Sequence, residues 1–426
     1  MKWLTSFLLL ICRGTIAGAF WIATRLSWKV EVHGRSFDSG ARRSYIGMAH
    51  KRDLDPLMLL PTLIFRQSWR RLRGELQFAL RGDAFEPGYL GRLVLQPYWL
   101  SRLLRVLSLG AVLRWLGAHS TDALVRPAEV WLREALRYGG DRPASEALAP
   151  PFLAELAEAS GETREQVASA PLSRLLSWRY HLVLPRFYGT EILAAAMRRP
   201  LQQRMVTQIK HELATLDDRL WEGCSLYGSP EGQLSPDGRL SPISAGFHRI
   251  MRAAPQDTRI VPVALVYDFM TTQRPRVFID FAPPLLQAPQ LAPGDLDAAL
   301  RSAWLTAARF TCTQLASGFL KQIGQQEGVT FTLDDLACHI HVQAKKLASE
   351  DRHVDARLLD RNGARKRARG YLAYATHHKL VRLNNDLTYT PTTEEPPLKL
   401  RLREVGYDLA PLTYACNELK ELLELA

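Results

Sequence analysis

The sequence predicts an α/β protein: a sheet flanked by helices, with an apolar helix ahead of it and a mostly helical extension behind it. Three observations predict this. As far as residue 285, short apolar runs bounded by Gly, Pro and charged residues alternate with amphipathic stretches, as they do when strands and helices alternate around one sheet. Residues 3–28, "WLTSFLLLICRGTIAGAFWIATRLSW", are almost continuously apolar. After "APQLAPGD" (288–295), which reads as a linker, helical patterns dominate. The 426 residues therefore divide into a membrane-associating segment (1–27), an α/β domain (28–285) and a mostly helical C-terminal domain (286–426).

The elements follow in order. The first run carries Arg13 near its middle, with Lys2, Arg25 and Lys29 around Trp3, Trp21 and Trp28. A spanning helix wants about 20 apolar residues, and a central arginine opposes spanning. The run predicts an interfacial helix or hairpin lying in the membrane surface, the alternative being a helix packed on its own domain. A signal peptide fits poorly, because no small-residue cleavage site leads into a disulfide-rich chain. "WKVEVHG" (28–34) reads as a short strand and "RRSYIGMAH" (42–50) as a buried one. "DPLMLLPTLI" (55–64) opens a helix, with Asp55 suited to the N-cap and Pro56 to the first helical position. "ELQFALRGDAF" (75–85) gives a strand and turn, and 99–117 and 127–140 read as helices. Residues 141–210 are rich in Pro, Ala and Glu and read as an insertion with short helices, followed by a helix over 211–223. "CSLYGSPEG" (224–232) is a strand running into a tight turn. "TRIVPVALVYDF" (258–269) and "RPRVFIDFAPPL" (274–285) are apolar strands.

Hydrophobic residues make up 47% and charged residues 23%, a globular balance rather than a disordered or multispan one. The net charge of +12 favours polyanionic partners: nucleic acid, anionic lipid or phosphorylated small molecules. Five scattered cysteines without a C-x-x-C fit reduced thiols in a cytoplasmic setting and argue against zinc.

Two H-x-x-x-x-D spacings occur. His33 and Asp38 fall in a polar turn between strands and read as surface residues. His50 and Asp55 span a strand-to-helix junction, which in α/β folds lines the cleft at the carboxyl ends of strands. A neutral imidazole, with a free pKa of about 6.5, suits general-base work near neutral pH. A carboxylate on its other nitrogen fixes the tautomer and stabilises the imidazolium. No G-x-S-x-G elbow or other evident nucleophile accompanies the pair, so direct attack by an acceptor hydroxyl is simpler than a covalent intermediate.

Four segments in order then carry a resemblance: "AHKRDLD", "FALRGDAF" with "LGAVLRWLG", "YGSPEGQLSPDGRLSPISAGF" and "IVPVALVYD". Over roughly 28–285 the chain resembles the glycerolipid acyltransferases, which acylate glycerol-3-phosphate, lysophosphatidic acid and other lysophospholipids. Their first motif is matched by His50 and Asp55. Their Pro-Glu-Gly turn is matched by Pro230, Glu231 and Gly232, and their Val-Pro-Val strand by Val261, Pro262 and Val263. The resemblance implies a mixed sheet flanked by helices, His50 as base and Asp55 as its orienting partner. It implies that Glu231 either bonds acceptor hydroxyls or holds the turn, while Gly232 allows close backbone approach. Arg81 sits where a basic residue is common. Gln233 and Leu234 stand where the family has Thr-Arg, so the usual phosphate-binding arginine is missing and Arg239 is the candidate substitute. The implied partners are an acyl thioester donor (acyl-CoA or acyl-carrier protein), a glycerolipid acceptor and an anionic membrane surface, with the active site on the cytoplasmic side. No metal or redox cofactor is implied. The rival functions are acylation of a different, non-phosphorylated or other lysolipid acceptor, and a membrane-bound adaptor that kept the fold without turnover.

Two lesser patterns remain. "CHIHVQ" (338–343) lacks further partners for a metal and reads as a helix with surface histidines. "RNGARKRARGYLAYATHHKLVRLNNDLTYTP" (361–391), after "TLDDLACHIHVQAKKL", has the outline of a helix-turn-helix with a wing. Basic helix starts are common in so basic a chain, so membrane or core packing is preferred there and nucleic acid is set aside as a partner.

Overall fold

The structure, a computed structural model, describes residues 2–34, 43–52, 55–66, 76–86, 89, 108, 110–121, 125–181, 183–184, 186–232, 235, 237–326, 328–392 and 410–424. In chain order the strands are β1 (Lys29–His33), β2 (Ser44–Met48), β3 (Leu76–Arg81), β4 (Ala118–Thr121), β5 (Arg126–Pro127), β6 (Phe187–Tyr188), β7 (Ser225–Gly228), β8 (Arg259–Asp268), β9 (Arg276–Phe281), β10 (Val381–Leu383) and β11 (Tyr389–Pro391). The chain divides into two compact units. Met1–Gln77, Arg219–Leu400 and Asp408–Ala426 belong to the first, and Phe78–Asp218 to the second. The helical residues after 285 thus group with the sheet, and the stretch that stands apart is 78–218, which contains the expected insertion.

Within the first unit, five strands of a mixed sheet run in the order β1–β9–β8–β2–β7. β2 pairs in parallel with both β7 and β8, β1 pairs in parallel with β9, and β8 and β9 are antiparallel. β2 and β7 are buried at every position and β8 at all but its first, which explains their uninterrupted apolar character. The helix Asp55–Arg66 follows β2, and the N-terminal helix Lys2–Ser27 packs on it.

That first helix is a single helix of 26 residues, so the hairpin alternative does not hold. Arg13 is buried and donates to the Leu76 carbonyl at 3.4 Å, and burial pulls its guanidinium below its ordinary value. Ile11, Trp21, Ile22 and Leu26 are exposed on the same helix, so one face packs on the domain and another does not. No helix of the described residues is long and apolar enough to cross a membrane.

The residues after β9 build a second layer of the same unit. Pro293–Ala307 packs on β8. Cys312–Ile323, Leu333–Ser349 and Arg361–His377 form a three-helix group, with hairpin β10–β11 after the last. Phe331, just before the second helix, makes an antiparallel bridge to Tyr389 of β11. The order is helix, bridge, helix, helix, hairpin, with residues 350–360 between the last two helices. His339 and His341 lie on the second helix, and the described residues hold no metal-ligating cluster.

In the second unit β3 and β4 pair in parallel and β5 and β6 antiparallel. Of the helix expected over 99–117, Gly110–Trp115 is helical, and residues 99–107 and 109 lie outside the described residues. The insertion does hold short helices, at Ala144–Ala147, Pro150–Ser160, Arg164–Ser169 and Leu172–Leu175. The helix expected over 211–223 begins far earlier, as Ala195–Trp221, running through Pro200. A core of its own includes Trp131, Leu132, Leu148, Leu156, Tyr180 and Leu193.

Candidate active site

Three parallel strands converge on the site. Their register sets Gly47 of β2 beside Gly228 of β7 and Pro262 of β8. Just beyond these ends the chain leaves β2 through Ala49 and His50, and leaves β7 into Pro230, Glu231 and Gly232. Gly47 suits this convergence: a Cβ there would come within 3.2 Å of the Pro230 ring, which would have to shift by a few tenths of an ångström. Gly232 is required for its conformation, with φ at +70°.

His50 and Asp55 form a pair, with Nδ1 3.0 Å from Oδ2. Asp55 is wholly inaccessible, while the His50 side chain keeps 18% of its surface exposed. The same Asp55 oxygen accepts from the amides of Lys51 at 2.6 Å and Arg52 at 2.8 Å, and the other accepts from the Tyr267 hydroxyl. Asp55 starts the Asp55–Arg66 helix, yet among the described residues its carboxylate serves the preceding loop and not that helix's own amides. That separates it from a simple cap. A carboxylate on Nδ1 makes Nε2 the nitrogen that would take a proton in general-base work.

Glu231 is buried, and both its oxygens are engaged: Oε2 accepts from the His50 amide at 2.6 Å and Oε1 from the Ser241 amide at 2.5 Å. The Ser235 amide donates to the His50 carbonyl at 3.1 Å. The Pro-Glu-Gly turn and the loop after it therefore hold the main chain of His50 on both sides. Burial raises the Glu231 carboxyl above its ordinary value, against the lowering pull of those amides and of Lys51. Of the two roles left open for Glu231, these bonds support holding the turn.

Arg239 is exposed and paired with Asp237 at 3.8 Å. Arg81 ends β3 in the second unit, and its side chain lies outside the described residues. Arg114 is exposed on its helix, its guanidinium 5.4 Å from the centre of the Phe85 ring. His33 ends β1 near Glu31, at 3.9 Å, and Asp38 lies outside the described residues.

Three site residues were not singled out from the sequence. Lys51 is buried, donates to the Gly238 carbonyl at 2.8 Å and pairs with buried Glu418 at 3.7 Å. Arg52 lies over the rings of Tyr267 and Phe269, at 4.7 and 4.3 Å from their centres. Tyr267 lies on β8, downstream of Val261-Pro262-Val263. Spacing carries no mark of it, because every neighbour on that strand is buried too.

No protein-family model matches this chain, and no curated protein matches it either.

Proposed function

We propose that the protein is a membrane-associated O-acyltransferase of the glycerolipid acyltransferase kind. The observation that carries this reading is the His50–Asp55 pair, with a buried carboxylate on Nδ1 and a partly open ring at the carboxyl ends of parallel strands. His50 Nε2 takes the proton of an acceptor hydroxyl. The oxygen attacks the carbonyl of an acyl-CoA or acyl-carrier-protein thioester. The C–S bond breaks as the tetrahedral intermediate collapses, and the imidazolium returns its proton to the leaving thiolate. Asp55 holds the ring and stabilises the imidazolium, and Glu231 holds the main chain that carries the ring.

Two acceptor classes follow. Glycerol-3-phosphate or lysophosphatidic acid is the first. An acceptor without a phosphate is favoured by one specific observation: Leu234 replaces the family's arginine, and the substitute, Arg239, is exposed and paired with Asp237.

The test is transfer of a labelled acyl group from acyl-CoA, and separately from acyl-carrier protein, to glycerol-3-phosphate, lysophosphatidic acid, other lysophospholipids and a monoacylglycerol. His50→Ala is expected to lower the rate by about 10²–10⁴-fold, the usual worth of a positioned general base. A His50→Ala enzyme as active as the parent would remove the mechanism. Absence of product with every pair of substrates would favour the adaptor.

A further inference from the structure

Residues 312–391 supply none of the residues named for acyl transfer, yet the last helix of this module, Arg361–His377, presents a run of cations. Residues 361–379 contain six Lys or Arg and no Asp or Glu. Arg367 turns inward to Asp268, and Arg365 pairs with Asp334. Arg361, Lys366 and Arg369 stay exposed on the outer face. The helix that carries this face is joined to the end of the N-terminal helix through the β8–β9 loop. Gln273 there bonds the Lys366 carbonyl at 3.2 Å, and Arg274 bonds the Trp28 carbonyl at 3.0 Å. Arg357, just ahead of the basic helix, lies 3.6 Å from Glu31 of β1, which also meets Lys29. The N-terminal helix brings Trp21, Ile22 and Leu26 to the surface, Leu26 at 76% exposure, with the Arg25 guanidinium over the Trp21 ring.

We propose that these two helices form one surface that docks on an anionic bilayer. Ile22 and Leu26 enter the acyl boundary, Trp21 sits at headgroup level, and the exposed cations of the winged module bind lipid phosphates. The reading deepens the membrane association proposed above by naming the face that meets lipid. Two features favour lipid over a DNA groove. The connection between the second and third helices spans residues 350–360, far longer than the three- or four-residue turn of a DNA-reading helix pair. The wing exposes Leu383 and Leu387, the latter at 75%, where an aqueous or phosphate-facing tip calls for polar residues.

The test is co-sedimentation of the full chain with phosphatidylcholine vesicles and with vesicles enriched in phosphatidylglycerol, at physiological salt. The triple variant Arg361→Glu, Lys366→Glu, Arg369→Glu is expected to lose at least about a hundredfold in affinity for the anionic vesicles, with neutral vesicles unaffected. Ile22→Gln with Leu26→Gln should weaken binding to both. Should the triple variant fold poorly, Lys366→Glu alone carries the test, with about a tenfold loss expected. Wild-type binding by the charge-reversed variant overturns the proposal. So does tight binding of a short DNA duplex that the same variant loses and anionic vesicles do not displace, which would make the module a nucleic-acid reader. Because the assay reads binding and not turnover, it is independent of His50→Ala: loss of the acyl-transfer mechanism would leave these outcomes unchanged.

Discussion

Asp55 is the residue on which the site turns. Its Oδ2 gathers the His50 ring and two main-chain amides, and its Oδ1 has one donor among the described residues, the Tyr267 hydroxyl. Tyr267 is itself fixed, with the edge of Trp28 against its ring at 5.5 Å and the Arg52 cation over its face. Tyr267→Phe removes only the hydroxyl and leaves a buried carboxylate oxygen without a partner, so the carboxylate can turn and the imidazole loses its alignment. In the acyl-transfer assay kcat is expected to fall about tenfold with KM within about twofold, because Tyr267 acts through Asp55 and does not touch substrate. Unchanged kcat in a folded Tyr267→Phe protein would show that the hydroxyl is packing alone. The pairing of His50 with Asp55 was legible from sequence because the two lie five residues apart across one junction. Tyr267 was not, because its partner is 212 residues away and its strand is apolar throughout.

At the scale of elements, the helix Pro411–Glu424 is the least expected part of the site. The sequence placed it within a mostly helical C-terminal stretch, but it fastens the loop after Pro-Glu-Gly. Leu240 donates its amide to Glu421 at 2.7 Å, Asn417 bonds the Asp237 carbonyl at 3.0 Å, and Glu418 meets Lys51, the residue after His50. Glu418 is buried, and burial raises its carboxyl above the ordinary 4.5 more than Lys51 and Gln314 lower it. A carboxyl raised by folding binds its proton more tightly in the native state. The stability it contributes is therefore fully present below the unfolded value and is lost as pH rises through the folded one. Glu231 is raised in the same direction. In chemical unfolding at a series of pH values from about 4.5 upward, these two carboxyls contribute a slope of stability falling with rising pH. Glu418→Gln should flatten part of that slope. An unaltered slope in Glu418→Gln would mean that Glu418 does not titrate there. The strands β2, β7, β8 and β9 could be read in advance because local apolar runs set them. The clamp could not, because it depends on side chains from opposite ends of the chain meeting.

On the scale of the molecule, the alternation of strands and helices predicted an α/β sheet flanked by helices, but composition did not predict how the chain divides. A Pro- and Ala-rich stretch resembles a loose insertion because its helices are short and its apolar residues keep no single period. Yet residues 128–205 enclose Trp131, Leu132, Leu156, Tyr180 and Leu193 almost completely. Small residues such as Ala128, Ala135, Ala144 and Ala147 let those short helices approach closely, which periodicity alone does not reveal. This core is made within the second unit, whereas His50, Asp55, Glu231 and Glu418 all belong to the first. Leu156, with no accessible surface, measures the consequence. Leu156→Ala removes buried methyl groups and leaves a cavity, at a cost of about 2–5 kcal/mol. If the two cores are energetically separate, calorimetry of the variant shifts one unfolding transition downward and leaves the other in place. Binding of the variant to anionic vesicles, which depends on first-unit residues, then matches the parent. A single transition moving as a whole, or vesicle binding lost together with the second core, would mean that the two units fold as one cooperative body.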